Sequence, residues 1–240
     1  MNRVALFIPC YNEAKRIDLS SLQKFIEEQN NLIDFYFVDD GSSDNTSEII
    51  RSSLTKAKNC FLIPISSNLG KGNAIRYGIQ NVACEHYKYY GFIDADLDIP
   101  LHQVLKLYEC LENTEASFAI SNRGFYNEFQ FFRLRSYISL IMVQIANGII
   151  GFRPFIKDTQ CGCKMLKADL VDLCFGQKFV SQWLFDIEIF LRLKRHRYNA
   201  RNLIVEVPLK ISKNALKSTS KVLSGHKILY QLYLIKQHYK

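Results

Sequence analysis

The chain has 240 residues, 48% hydrophobic and 22% charged, with 11 Gly and 5 Pro scattered along it. That composition excludes a fibrous, low-complexity or disordered chain, and the length suits one compact domain able to bury most of a three-layer core. The formal net charge of +8 attracts polyanions, whether nucleic acid, an anionic membrane face or phosphorylated substrates, and by itself does not choose among them.

From the N-terminus, short β-rich runs alternate with helical patterns. Strands are predicted at Val4–Ile8, Phe35–Val38, Phe61–Ile65, Gly91–Ile93 and Ser117–Ile120, and helices near Leu19–Glu28, Thr46–Lys56, Asn73–Ala83 and Leu101–Leu111. This rhythm predicts an α/β fold, a mostly parallel sheet covered by helices, whose ligands bind beyond the carboxyl ends of the strands. After Ile120 the alternation loosens into a helical stretch from about Phe131 to Ile150, a Gly/Cys loop around Asp158–Lys164 and a helix near Leu184–Arg195.

The tail is basic. After Arg192 there are eleven lysines and arginines against Glu206 alone, and Leu223–Tyr239 reads as an amphipathic helix with Ile228, Leu229, Leu232, Tyr233 and Ile235 among lysines. The apolar stretch Tyr137–Phe152 is too short, and too polar at Gln144 and Asn147, to span a bilayer. No signal-peptide pattern precedes the first strand, so a cytoplasmic location is expected, peripheral at the inner face of a membrane if the tail helix docks there. The seven cysteines read as reduced core thiols, and Cys161 with Cys163 lacks the spacing of a zinc pair. Trp183 is read as a core or acceptor-groove side chain, and no histidine has pair spacing.

Polar motifs begin where the strands end. Asp94-Ala95-Asp96 puts two hard oxygen ligands at the open end of the sheet, suited to Mg²⁺ or Mn²⁺ bridging a diphosphate, and a third carboxylate, Asp98, would be repulsive there without a cation. In Asp39-Asp40-Gly41-Ser42-Ser43-Asp44, the last residue is a helix cap, while Asp39 and Asp40 are kept for ribose or base recognition. Asn68-Leu69-Gly70-Lys71-Gly72-Asn73 sets a lysine before a helix, where an ammonium and backbone amides approach phosphate; it is not a Walker A loop.

Together, Pro9-Cys10-Tyr11-Asn12-Glu13, Val38-Asp39-Asp40-Gly41-Ser42 and Asp94-Ala95-Asp96 resemble the family 2 glycosyltransferases over roughly residues 3 to 210. The resemblance implies a Rossmann-like GT-A three-layer α/β/α sandwich, a donor half over 1–121, an acceptor half over 122–210 and a basic tail over 211–240. It implies donor contacts from Pro9, Tyr11, Asn12, Glu13, Asp39, Asp40, Lys71, Asp94, Ala95 and Asp96, and a Mg²⁺ or Mn²⁺ ion on Asp94, Asp96 and Asp98. Asn68-Leu69-Gly70-Lys71-Gly72, Ser121-Asn122-Arg123, Asp158-Thr159-Gln160-Cys161-Gly162 and Phe185-Asp186-Ile187-Glu188 look like blocks of the dolichyl- and polyprenyl-phosphate sugar synthases. That closer likeness implies Asp158, Asp186 and Arg123 as catalytic candidates, and Arg123, Arg133, Arg135, Ser220 and Lys221 for the phosphates. Where those enzymes have Leu-Ser/Gln-x-Pro after the metal motif, this chain has Leu97-Asp98-Ile99-Pro100.

The expected activity is inverting transfer of a sugar, glucose first, from a nucleotide-sugar to a lipid phosphate; UDP-glucose is the favoured donor and GDP-mannose the second. An acceptor phosphate is already ionised and needs no strong base, whereas a hydroxyl acceptor, as in polysaccharide synthesis, would need one, with Asp186 the first candidate. A non-catalytic nucleotide- or polyanion-binding module is the reading from a different class. Five carboxylates at one end of the sheet argue against it, and no nucleic-acid partner is expected.

Overall fold

The structure, a computed structural model, describes residues 3–54, 57–82, 87–123, 144–151, 156–196, 203–209 and 225–239. Its first half follows the βα alternation: β1 (Arg3–Cys10), α1 (Leu19–Glu28), β2 (Ile33–Asp39), α2 (Thr46–Ser53), β3 (Cys60–Pro64), α3 (Lys71–Gln80), β4 (Tyr87–Ile93), α4 (His102–Asn113) and β5 (Phe118–Asn122). Then come α5 (144–150), β6 (Cys163–Lys167), α6 (Val171–Phe175), α7 (Phe185–Arg195), β7 (Ile204–Pro208) and α8 (Gly225–His238).

The seven strands form one sheet in the order β3-β2-β1-β4-β6-β5-β7. β3, β2, β1 and β4 are mutually parallel, β6 runs antiparallel between β4 and β5, and β7 closes the far edge parallel to β5. Cys163 and Lys164, expected in a loop, begin β6. The run Cys-Lys-Met-Leu-Lys hides its strand character behind lysines, and Lys164 is buried in register with Phe92. β7, in the polar-flanked run Ile204–Pro208, was not anticipated either.

Alternation along β1, β2 and β4 feeds two cores, one on each face of the sheet, as side-chain direction reverses at every residue. Phe7, Tyr36, Tyr90 and Phe92 pack with α3, α6, α7 and Leu232 and Ile235 of α8, while Leu6, Phe35, Tyr89 and Met165 pack with α1, α2 and α4. The result is a three-layer sandwich.

Local chemistry starts the helices at the carboxyl end of the sheet. Asp18 accepts a hydrogen bond from Ser21 N (3.1 Å) at the start of α1. α3 begins two residues earlier than expected, because Gly70 takes φ +83°, a left-handed conformation that glycine adopts without strain, and Lys71 becomes its first residue. Among the described residues no helix is long and apolar enough to cross a membrane. The tail helix α8 is instead fastened to the body: Gln231 Oε1 accepts from Ser181 Oγ and Gln182 N, and the Tyr239 hydroxyl accepts from Arg192 Nε.

Candidate active site

The loops after β1 and β2 are knitted together. Asn12, at φ 56°, takes Ser43 N on Oδ1 (2.9 Å) and gives its own N–H to Ser42 Oγ (2.9 Å), and Glu13 N donates to Thr46 Oγ1 (2.8 Å). Asp44 accepts from Thr46 N (3.1 Å) at the start of α2 and from Ala14 N (3.2 Å), so the expected cap also joins the two loops.

Asp39 and Asp40 are both buried, and their oxygens are largely engaged within the protein. Asp39 accepts from Ser42 N (3.0 Å) and Ser47 Oγ, and Asp40 accepts from Leu69 N (2.7 Å) and Gly70 N (2.9 Å). Asp40, expected at the ribose or base, has its carboxylate on the backbone of the 68–70 turn. Gly41 allows this approach, since a Cβ there would lie 2.8 Å from Asn68 N. Burial, followed at a distance by the neighbouring Asp39 charge, raises the Asp40 pKa despite its two backbone partners. Tyr11 stands about half exposed at the mouth of these loops, while Pro9 belongs to β1 itself.

Beyond β4 the carboxylates turn to different cations. Asp94 is ion-paired with Lys71, the first residue of α3, and Asp96 lies 3.6 Å from Arg16, which also grips Glu13 (2.8 Å). Burial works to lower the Lys71 pKa, but the charges of Asp94, Asp186 and Asp96 overcome it and hold the ammonium protonated. The Asp98 carboxyl is pushed up by burial and then by Asp96 and Asp94. Ala95 between the two ligand candidates is buried.

Among the described residues no three acidic, histidine or cysteine side chains converge as metal ligands. Of the three carboxylates expected around a metal, Asp94 and Asp96 each face a cation of their own, Lys71 and Arg16. The donor set fits a hard divalent ion: carboxylate oxygens of Asp94, Asp96 and Asp98 on one loop, with the Lys71 ammonium beside Asp94. Phosphate oxygens and water would complete such a shell.

Across the sheet, Arg123 at the end of β5 meets Asp158 in a two-pronged pair, Nε to Oδ2 at 2.8 Å and Nη2 to Oδ1 at 2.9 Å, with Arg123 N adding a third bond (3.1 Å). Burial alone would raise the Asp158 pKa; Arg123's hydrogen bonds and charge outweigh it and hold the carboxyl below its usual value. Asp158 is thus Arg123's partner at the end of β5. Glu206 of β7 holds the same loop by accepting from Lys157 N (2.7 Å) and Asp158 N (3.1 Å).

Asp186, expected as the base for a hydroxyl acceptor, is buried on α7 and paired with Lys164 Nζ at 2.6 Å. Burial raises its pKa, opposed by Lys164 and Lys71. Asp186 is thus the buried ion-pair partner of Lys164. Glu188 is structural, accepting from Ser181 N (2.7 Å) and Val180 N (3.1 Å) at the start of α7.

Arg133, Arg135, Ser220 and Lys221 lie outside the described residues. Trp183 is half exposed, not a core side chain. Arg16 and Lys164 were missed from sequence. A lysine inside the otherwise buried run Cys163–Leu166 was the available signal for one, whereas Arg16 in a polar loop gave none.

The family model described as Glycosyl transferase family 2 matches residues 5–175. An uncharacterised protein of Methanocaldococcus jannaschii is 32% identical over 187 residues, 76% of this chain and 80% of that one. The dolichyl-phosphate beta-glucosyltransferase of Saccharomyces cerevisiae is 30% identical over 227 residues, covering 86% of this chain and 66% of its own length; that of Dictyostelium discoideum is 27% identical, over 78% and 60%. The chain therefore spans somewhat under two thirds of these named relatives. In fold it is similar to glucosyl-3-phosphoglycerate synthase from Mycobacterium tuberculosis in complex with UDP, with a TM-score of 0.68 at 16% identity over 99% of this chain and 80% of that chain. The same synthase has been solved with Mn²⁺, UDP and glucosyl-3-phosphoglycerate (TM-score 0.58, 16% identity, 99% and 77% covered).

Proposed function

The chain belongs to glycosyl transferase family 2, and from that premise we propose that it transfers glucose from UDP-glucose to a polyprenyl- or dolichyl-type phosphate, with GDP-mannose the second donor to test. The observation that carries this reading is the meeting of Lys71, Asp94, Asp96 and Arg16 beyond the carboxyl ends of β1 and β4. The names of the dolichyl-phosphate beta-glucosyltransferases and the UDP and Mn²⁺ found with the structural neighbour support the donor, the metal and the acceptor class.

In this reading Asp94 and Asp96 would hold Mg²⁺ or Mn²⁺, with Asp98 beside them. When bound, the ion supplies positive charge to the diphosphate oxygens. Lys71 adds an ammonium at the N-terminus of α3, where unpaired backbone N–H groups also favour an anion, so the departing nucleoside diphosphate is met by preorganised positive charge. Pro9, Tyr11, Asn12 and Glu13 line the nucleotide side, and Asp39 keeps the second loop in place for the ribose and base. Residues 1–121 act as the donor half and 122–210 as the acceptor half.

Arg123, with Arg133, Arg135, Ser220 and Lys221, serves the acceptor phosphate, and Asp158 orients Arg123 for it. A phosphate monoester is ionised at neutral pH, so it attacks the anomeric carbon from the face opposite the leaving group without a general base, and the product is inverted. Transfer to a polysaccharide hydroxyl is less supported, since its base candidate Asp186 is buried against Lys164. The basic charge of the tail, 211–240, supports a peripheral position at the cytoplasmic face of a membrane.

The deciding experiment is a donor panel with Mn²⁺ or Mg²⁺ and a short polyprenyl phosphate, scored by nucleoside diphosphate release, product mass and anomeric configuration. A β-glucosyl-phosphate lipid from UDP-glucose supports the proposal. Turnover that makes no lipid product, or a retained anomeric centre, refutes the acceptor or the stereochemistry respectively.

A further inference from the structure

Lys164 is one of the largest fully buried side chains of the protein, 1% exposed. Its ammonium donates to Asp186 Oδ1 and to the carbonyl of Cys161, both at 2.6 Å, and lies 5.6 Å from the centroid of the Phe92 ring. A buried ion pair is a poor means of gaining stability, because desolvation offsets most of the attraction, and an apolar pair of similar volume is often as stable. Its two contacts, however, both lead to the donor site.

The first contact fixes the peptide that leads into Gly162. That residue rests on the Asp94 carboxylate so closely that a Cβ would overlap Oδ2. Holding the Cys161 carbonyl therefore sets how far the loop presses on Asp94. The second contact anchors the first turn of α7, where Phe185 abuts the first turn of α3: a Cβ on Gly72 would lie 2.5 Å from Phe185 Cβ. Lys71 is the residue before Gly72, its ammonium 5.8 Å from the centroid of the Phe185 ring and within the field of Asp186. One lysine thus braces both members of the Lys71–Asp94 pair through backbone and helix.

We propose that Lys164 is a positioning residue of the donor site, setting Asp94 through Gly162 and Lys71 through Asp186 and Phe185. The proposal rests on reading Lys71 and Asp94 as donor-site residues. It assigns the buried pair a task that neither a packed core nor a catalytic base would perform.

The test compares the wild type with Lys164→Met, which leaves Asp186 unpaired, and with Lys164→Met/Asp186→Leu, which removes both charges. Melting temperature reports the fold, and calorimetry with UDP and Mn²⁺ reports the site, with no base involved. The single variant is expected to melt lower. The double variant is expected to regain the wild-type melting temperature yet bind UDP with Mn²⁺ about tenfold or more weakly, as loss of a supporting residue does at ligand sites. Its backbone amides at 94–98 and 158–163 should also exchange hydrogen faster. Wild-type UDP affinity and exchange in a double variant of wild-type stability would overturn the proposal. If the double variant does not fold, Lys164→Gln/Asp186→Asn takes its place with the same readings. If the wild type itself binds no UDP, the donor reading fails, and the exchange comparison alone decides the brace.

Discussion

Gly162 lies against the carboxylate of Asp94, so closely that any side chain at 162 would collide with Oδ2. The loop that begins at Asp158 and the strand end that carries Asp94 are thus one unit, although 68 residues of sequence separate Gly162 from Asp94. Gly162→Ala must displace either the loop or the carboxylate. It is expected to lower kcat for donor turnover by about 10²-fold, the scale of a misplacement near 1 Å, with a melting temperature close to wild type. A variant with wild-type kcat would show that Asp94 can move without consequence.

The Lys71–Asp94 pair makes a second expectation. Lys71→Met removes the cation at the start of α3 and is expected to reduce kcat by about 10²–10³-fold, the range for loss of one preorganised charge donor. Chelation of divalent ions, or Asp96→Ala, should abolish turnover, and added Mn²⁺ should restore the chelated wild type but not the variant. Steady-state kinetics with UDP-glucose check both.

Asp40 is 3% exposed and holds two backbone N–H groups of the 68–70 turn. Asp40→Ala should cost about 1–3 kcal/mol for each donor left unsatisfied, measured by urea unfolding. Loosening of the Lys71 turn should also raise the donor KM. Unchanged stability would mean that the turn is held by other means.

Acid stability follows from Asp158. Its folded-state pKa lies below the usual 3.8, so as pH falls the unfolded chain takes up the proton first. The stabilisation from the Arg123 pair is complete above the unfolded value and is lost as pH drops through the lower folded value. Melting temperatures of wild type and Asp158→Asn should therefore differ most above the unfolded value and converge as pH falls through the lowered folded value. Parallel curves would deny the pair this role.

The C-terminal helix offers a test on each side. Ile235 is 0% exposed in the core, and Ile235→Ala should cost about 2–5 kcal/mol of unfolding free energy. Leu229, Tyr230 and Tyr233 are more than half exposed on the opposite side, so replacing all three with serine should leave the melting temperature unchanged. If α8 meets the membrane, the triple variant should no longer float with vesicles rich in anionic lipid. Equal flotation would place the contact elsewhere.

Much of this arrangement was legible in the sequence. Strong apolar alternation in β1, β2 and β4 announced the parallel half, and the strand-end motifs announced which residues meet at its carboxyl edge. What stayed hidden depends on partners distant in the chain. Nothing local in Asp40 or Asp186 says that one will be taken by backbone amides of residues 69 and 70 and the other by Lys164. β6 escaped because its lysines resemble a surface run, and the burial of Lys164 depends on Asp186, supplied by α7. Arg16 pairs with Asp96 across 80 residues, a relation no periodicity encodes.

The insertion of antiparallel β6 between β4 and β5 bears on synthesis of the protein. As the chain leaves the ribosome, β1 to β4 can assemble as they appear, but β4 then presents an open edge and β5 has no neighbour, because both of its partners, β6 and β7, are made later. Until β6, Cys163–Lys167, emerges, the apolar strand Tyr87–Ile93 is an unprotected template for pairing with other chains. A nascent chain stalled between β5 and β6 should therefore be the species most dependent on chaperones, and a truncation ending there should aggregate and not fold as a smaller unit.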